Sequence, residues 1–233
     1  MRLRDAPPIE VRRLMTLERA ALSELLAGLN DAGWARPTTC PGWSVKDVAL
    51  HLLDADFGWL SRGRDDDSSG LIAVTEDYRA FVTALNRKNE LWVQAARGTS
   101  PRLIQELLAF CGPMVDDYLA SVDLSGISRV SWAGPDAVPA WLDLARDFTE
   151  RWVHQQQIRD AVGKPGLTDA QWLSPVLRTF VWALPHHYRD IDADLGTQLA
   201  LTISGAGGGR WTLTKRPDAW ELDEHTSATE PQP

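Results

Sequence analysis

From Ala140 to Ala161 the chain reads AWLDLARDFTERWVHQQQIRDA, with no glycine or proline, and Gly163-Lys164-Pro165-Gly166 follows at once. An uninterrupted run closed by such residues is a helix with a defined end. Its apolar stripe is Trp141, Leu144, Phe148 and Trp152, and a stripe of that kind must be covered by other elements. The covering elements are visible upstream. Val11, Leu14, Met15, Leu17, Leu22, Leu25, Leu26 and Leu29 recur near helical spacing between about Pro8 and Leu29. After the break at Arg36–Gly42, Ser44 reads as an N-cap with Asp47 completing a capping box, and the second helix is expected to run to about Trp59. A third helix is expected over Thr75–Ala96. A fourth should start at Pro101, cross a kink at Gly112-Pro113 and end near Ser121.

Beyond the long helix the pattern changes. Residues 168–184 read as one more helix, with Trp172, Val176, Leu177, Phe180 and Val181 as its stripe. The stretches LALTIS, RWTLTK and AWELDE then alternate as strands. The fold class is therefore α+β, with a four-helix bundle over 1–162 and a small mixed α/β domain over 166–224. A flexible tail is expected over 225–233. No internal repeat is present, and Arg62–Gly70 and Ser131–Pro139 read as loops.

Charge and composition remove several classes of function. A net charge of −8 supplies no surplus of cations for a nucleic-acid backbone. No run approaches the roughly 18 apolar residues of a membrane span, and the opening MRLRDAPPIEVRRLM lacks the apolar run of a signal peptide. On these features the protein is expected in the cytoplasm, where two unpaired cysteines, Cys40 and Cys111, suit a reducing environment. Lysine occurs only at Lys46, Lys88, Lys164 and Lys215 while arginine is abundant, a bias of high-GC bacterial genomes. Eleven tryptophans imply an aromatic core or an aromatic-walled cleft.

Taken alone, the titratable residues are ambiguous. His51 shares a helical stripe with Val48, Leu52 and Ala55, where a histidine bonded to a backbone carbonyl would serve as well as a ligand. Glu150 and His154 stand four positions apart, opposite the apolar stripe and beside Asp143, as in a solvated ion pair.

Two motifs together say more. TCPGWSVKDVALHL, residues 39–52, followed about a hundred residues later by ERWVH, residues 150–154, resembles the DinB-like superfamily and, within it, the mycothiol-dependent maleylpyruvate isomerase family. The resemblance covers about 1–162, with a weaker echo over 166–222. It implies a divalent metal, typically zinc, held by His51, Glu150 and His154, with mycothiol as the thiol cosubstrate. Two imidazoles and one carboxylate leave zinc positively charged with an open position, the pattern of a catalytic site. In that family the thiolate adds to an activated double bond; after rotation it is eliminated, whereas in transferases it stays attached. The implied partners are a small electrophilic substrate and a low-molecular-weight thiol, with the protein a monomer or homodimer.

The family draws a substrate arginine from its C-terminal domain, and none of Arg178, Arg189, Arg210 or Arg216 aligns with it. Gln157 stands where many relatives carry an acid. Related C-terminal domains continue past the equivalent of Pro233, so the resemblance implies a shortened domain or a trimmed chain. Two other readings stay open: a metal enzyme that uses zinc-bound water or serves biosynthesis without a thiol, and a non-catalytic binder of small molecules.

Other features read as structural. Cys40 is taken as a small buried thiol in the CPGW turn and Cys111 as core. Gly205–Gly209 lies between two strands and reads as a hairpin turn, not a phosphate loop. His186 and His187, after Pro185 at a helix end, read as surface residues rather than as donors to substrate, and His225 is expected in the tail and Asp65-Asp66-Asp67 in solvent.

Overall fold

A computed structural model describes residues 1–70, 77–134 and 136–225. It is α+β, mostly helical with a small C-terminal sheet. The chain divides into two compact units that are not contiguous in sequence. One comprises residues 12–122 and 150–166, the other 1–11, 123–149 and 167 onward. The second unit thus takes in two segments, 1–11 and 123–149, that a division at 162 assigns to the bundle.

The first unit is helical. It contains α1 (Arg12–Ala27), α2 (Asp31–Trp34), α3 (Val45–Gly58), α4 (Tyr78–Ala96), α5 (Pro101–Ser121) and the C-terminal half of α6 (Ala140–Ala161). Helix α1 lies along α5, and α3 packs against both α5 and α4. Met15, Leu22 and Leu26 of α1, Val48 and Leu52 of α3, Ile104 and Val115 of α5, and Ile158 of α6 are buried together. Each such side chain contributes on the order of 1.5–3 kcal/mol through burial. Helix α4 is fastened to α3 by Trp92, whose Nε1 donates to the Leu50 carbonyl at 3.1 Å, and by the Lys88–Asp54 ion pair at 3.0 Å.

The start of α3 follows the expected capping box. The Ser44 hydroxyl accepts from the Asp47 amide, and the Asp47 carboxylate accepts from the Ser44 amide. Asp47 also pairs with Arg97 at 2.9 Å. Burial alone would raise the Asp47 carboxyl pKa, but hydrogen bonds from Arg97 and Ser44 hold it below its ordinary value. A carboxyl depressed in the folded state stabilises above its unfolded pKa of about 4 and loses that contribution as pH falls through the folded value. Asp47→Ala is therefore expected to cost about 1 kcal/mol in urea unfolding at neutral pH, with the deficit closing in acid. A deficit that grows in acid would contradict this.

Helix α3 does not stop at Trp59. A wide π-type turn carries it through Trp59–Arg64, with the Asp65 amide bonded to the Leu60 carbonyl at 3.0 Å. Gly63 makes this continuation possible, because a Cβ there would run into the Tyr118 ring. Helix α4 begins at Tyr78 behind an Asp77 N-cap, and the expected start at Thr75 falls outside the described residues. Helix α5 continues through Pro113 without ending, and α6 has the expected limits, closed by Gly163 at φ +65°.

In the second unit, Ile127–Ser128 (β1) pairs with Val138–Pro139 (β2), so residues expected as loop contribute a short antiparallel ladder. Helix α7 (Ala170–Phe180) is followed by a 3-10 turn over Val181–Ala183 and by α8 (Leu184–His187). The expected single helix over 168–184 breaks ahead of Pro185, which has no amide to continue the ladder. Phe180, expected in the apolar stripe, is 48% exposed.

Three antiparallel strands follow, β3 (Gln198–Ile203), β4 (Gly209–Lys215) and β5 (Trp220–His225), in the order β3-β4-β5. The β3–β4 hairpin needs its glycines: Gly205 and Gly207 have φ of +98° and +76°, and a Cβ on Gly208 would overlap the Ile203 carbonyl. His225 is not tail; it closes β5 and meets the Thr212 hydroxyl at 2.7 Å. The expected tail from 226 on lies outside the described residues. Trp141, Trp172, Trp182, Trp211 and Trp220 are buried in this unit, so about half of the tryptophans serve its core. Among the described residues, no helix is long and apolar enough to cross a membrane.

Candidate metal centre

Helix α3 carries His51 two turns beyond its cap, and α6 carries Glu150 and His154 one turn apart. All three side chains belong to the helical unit. They converge. His51 Nε2 lies 3.3 Å from Glu150 Oε1, and His154 Nε2 lies 3.2 Å from the same oxygen. One potential ligand atom from each residue falls within 4.8 Å of the others. The two imidazole rings meet edge to face, with centroids 4.7 Å apart. Glu150 and His154 on the polar side of α6 thus face His51 of α3, which a hydropathy wheel does not suggest, although the Glu150 side chain keeps 45% of its surface open to solvent.

Electrostatics bind the trio tightly without a metal. Burial alone would raise the Glu150 pKa, yet hydrogen bonds and positive charge from His154 and His51 hold it well below the carboxylate range. Burial alone would lower the His154 pKa, but its contacts with Cys40 and Glu150, and the Glu150 charge, push it up to about 10. In the metal-free protein at neutral pH, His154 is therefore a protonated partner of Glu150. A cation placed among these atoms would replace a proton.

The CPGW turn builds one wall. Gly42 takes φ +79°, the Trp43 amide bonds to the Cys40 carbonyl at 3.1 Å, and the Thr38 amide to the Trp43 carbonyl at 2.9 Å. Trp43 is thereby set with its ring 5.3 Å from that of His51, and its Nε1 donates to Glu90 at 2.6 Å. The same turn brings Cys40 to the centre. Its thiol donates to Gln157 Oε1 at 3.0 Å and sits 4.0 Å from His154 Nδ1. Cys40 is half-buried and adjoins the candidate ligands, which differs from the buried structural thiol expected for it; Cys111 is buried. Nδ1 of His51 is buried with no hydrogen-bond partner among the described residues.

Beside the centre runs a charged network that the sequence reading missed. Arg151 is fully buried and binds Glu18 at 3.2 Å and Asp56 at 2.8 Å. Arg19 binds Asp56 at 2.7 Å and Asp116 at 3.1 Å, while Gln155 donates to Glu18 Oε1 at 2.8 Å. This network ties α6 to α1 and α3 and so fixes the helix that bears Glu150 and His154. Its signal was available: Glu18 stands between Met15 and Leu22 on a buried stripe, and Asp56 one turn beyond Leu52.

The remaining candidates stand elsewhere. Arg178, Arg189, Arg210 and Arg216 belong to the other unit, where Arg178 pairs with Glu224 at 2.9 Å and Arg216 with Glu221 at 3.6 Å. His186 is half-buried and His187 exposed, Asp65, Asp66 and Asp67 are exposed, and the glycine cluster is a hairpin turn.

Comparison with known proteins finds relatives of this chain. The family model described as the mycothiol maleylpyruvate isomerase N-terminal domain covers residues 15–159. An uncharacterized protein of Mycobacterium tuberculosis strain ATCC 25618 / H37Rv is 26% identical over 144 residues, which is 61% of this chain and 52% of the relative. Its counterpart in strain CDC 1551 / Oshkosh gives the same identity and coverage. The chain thus spans about half the length of the curated relatives it matches. The crystal structure of the mycothiol-dependent maleylpyruvate isomerase has a TM-score of 0.51 and 16% identity, covering 84% of this chain and 77% of that one. That similarity is one of fold.

Proposed function

Because this chain belongs, through residues 15–159, to the mycothiol maleylpyruvate isomerase N-terminal domain family, we propose that it is a metal- and thiol-dependent enzyme. In this reading His51, Glu150 and His154 bind a divalent cation, preferably zinc, and mycothiol reacts there with a small electrophilic or unsaturated substrate, by isomerisation or S-transfer. The observation that carries it is the convergence of two imidazole nitrogens on one carboxylate oxygen within 4.8 Å. Two nitrogens and one oxygen form a donor set suited to zinc that leaves a coordination position free. When bound, zinc would supply the positive charge that converts a thiol, with a free pKa of about 8.5, to its thiolate at neutral pH.

The side chains divide the remaining work. Glu150 contributes the single negative charge, so the bound cation keeps net positive charge for an incoming sulfur. His51, backed by the Trp43 ring, and His154, backed by Gln157, fix two directions of approach. Trp43, set by the CPGW turn, places its ring against His51. A reduced thiol cosubstrate also fits the cytoplasmic location expected from the sequence.

The test is zinc analysis of purified protein, followed by assays with mycothiol and a panel of α,β-unsaturated acids, including cis-ene-dioates. Stoichiometric zinc and mycothiol-dependent turnover are expected. Thiol recovered unchanged indicates isomerisation, and thiol consumed with the substrate indicates transfer. Zinc-dependent turnover indifferent to thiol would replace this reading with one based on zinc-bound water, and protein that binds no zinc would remove it.

A further inference from the structure

His154 offers a metal ion only one nitrogen at a time, and which one is decided on the far side of its ring. There Nδ1 lies 2.8 Å from Gln157 Oε1. The same oxygen accepts the Cys40 thiol hydrogen at 3.0 Å. A carboxamide carbonyl has two lone-pair directions, and both are filled by donors here. Gln157 comes one helical turn after His154 on α6, and the CPGW turn delivers Cys40 from the segment between α2 and α3.

We propose that Gln157 is the positioning residue of this centre: its carbonyl holds the neutral His154 ring as the Nδ1–H tautomer, aiming the bare Nε2 at the cation, and the Cys40 thiol aims the carbonyl. This rests on the metal reading above and specifies how one ligand is supported. A carbonyl accepts a hydrogen bond but cannot take the proton, so Nδ1 keeps its hydrogen and Nε2 alone is free to coordinate. A carboxylate in the same place would draw the ring toward imidazolate character and make Nε2 a stronger donor. His51 has no such support among the described residues, since its buried Nδ1 lacks a hydrogen-bond partner. The orientation of the pair of imidazoles therefore leans on the His154 side.

Loss of a hydrogen bond that orients a metal-bound histidine typically weakens metal binding 10–100-fold. Gln157→Leu and Gln157→Asn, the first without an acceptor and the second with its amide withdrawn by one methylene, are both expected to lose zinc affinity in that range in competition with a chromogenic chelator. Gln157→Glu restores the acceptor and is expected to bind zinc at least as tightly as the unaltered protein. In nitrogen-15 NMR of the zinc-loaded protein, the His154 ring is expected as one Nδ1–H tautomer, and in Gln157→Leu that Nδ1–H signal should be lost or shifted. Should Gln157→Leu fail to fold, the asparagine and glutamate variants carry the comparison. Zinc affinity in Gln157→Asn or Gln157→Leu within twofold of the unaltered protein would overturn the proposal. Failure of the unaltered protein to bind zinc at all would instead overturn the metal reading beneath it.

Discussion

Protein purified with His154→Ala is expected to carry no stoichiometric zinc. Removing this imidazole leaves His51 and Glu150, one nitrogen and one oxygen, with the remaining positions open to water. The loss should exceed the roughly 10–100-fold penalty for losing only a supporting hydrogen bond, because a direct ligand disappears. The unaltered protein should also show a signature that the variant lacks. Contacts with Cys40 and Glu150 outweigh burial and push the His154 pKa to about 10, so the metal-free centre holds a proton at neutral pH that zinc must expel.

Zinc affinity is accordingly expected to rise about tenfold per pH unit through the neutral range and to level off near the His154 value. About one proton should be released per zinc bound in weak buffer. The signs for folding follow from the same groups. His154 is raised, so its pairing stabilises the metal-free protein fully below its unfolded pKa of about 6.5 and ceases to do so as pH rises through about 10. Glu150 is depressed, so its contribution is present above about 4 and is lost as the solution is made more acidic. Zinc titrations of both proteins across this range, with parallel metal analysis, check the prediction. Equal zinc content in the two would refute it.

Helix limits and strand placement were legible because local chemistry sets them. Ser44 with Asp47, Ser100 with Pro101, and Gly163 mark ends that tertiary packing left in place. The wide turn at Trp59–Arg64 was not legible, since its glycine lies against the Tyr118 ring, more than fifty residues away, which local pattern does not reveal. The candidate centre was legible only through its resemblance to a family. Hydropathy put Glu150 and His154 on the wet side of α6 because it took Trp141, Leu144, Phe148 and Trp152 as one continuous buried stripe. That stripe is buried through Phe148, but in the second half of the helix the buried residues are Arg151, Gln155 and Ile158. Trp152 is only half-buried. A face made of arginine and glutamine is invisible to a hydropathy pattern, yet it is buried where Arg151 and Gln155 pair with Glu18 on α1 and Arg151 with Asp56 on α3. The side of α6 that turns inward is thus chosen by ion pairing, and the neighbouring ligand face turns with it.

Arg151→Met is therefore expected to lower stability by about 3–5 kcal/mol, the range for breaking a buried ion pair from one side. Methionine fills much of the volume, so the loss comes mainly from charge. Glu18 and Asp56 are completely buried: Asp56 would keep its pairing with Arg19, which it shares with Asp116, and Glu18 would keep the Gln155 hydrogen bond but lose its direct ion pair. Burial already raises the Glu18 pKa despite the nearby Arg151 and Arg19 charges. Without Arg151 it should rise further. A carboxyl whose pKa is higher in the folded than in the unfolded state binds more protons when folded, so its effect on stability worsens as pH increases above about 4. The deficit in urea unfolding should accordingly be larger at pH 8 than at pH 5, opposite to the acid-sensitive contribution of Asp47. Arg151→Lys keeps the charge but not the fork that reaches Glu18 and Asp56 together, and should fall between the methionine variant and the unaltered protein. A deficit that is independent of pH would mean that packing, not pairing, holds α6 in place. The inward turn of Glu150 and His154 would then need another cause.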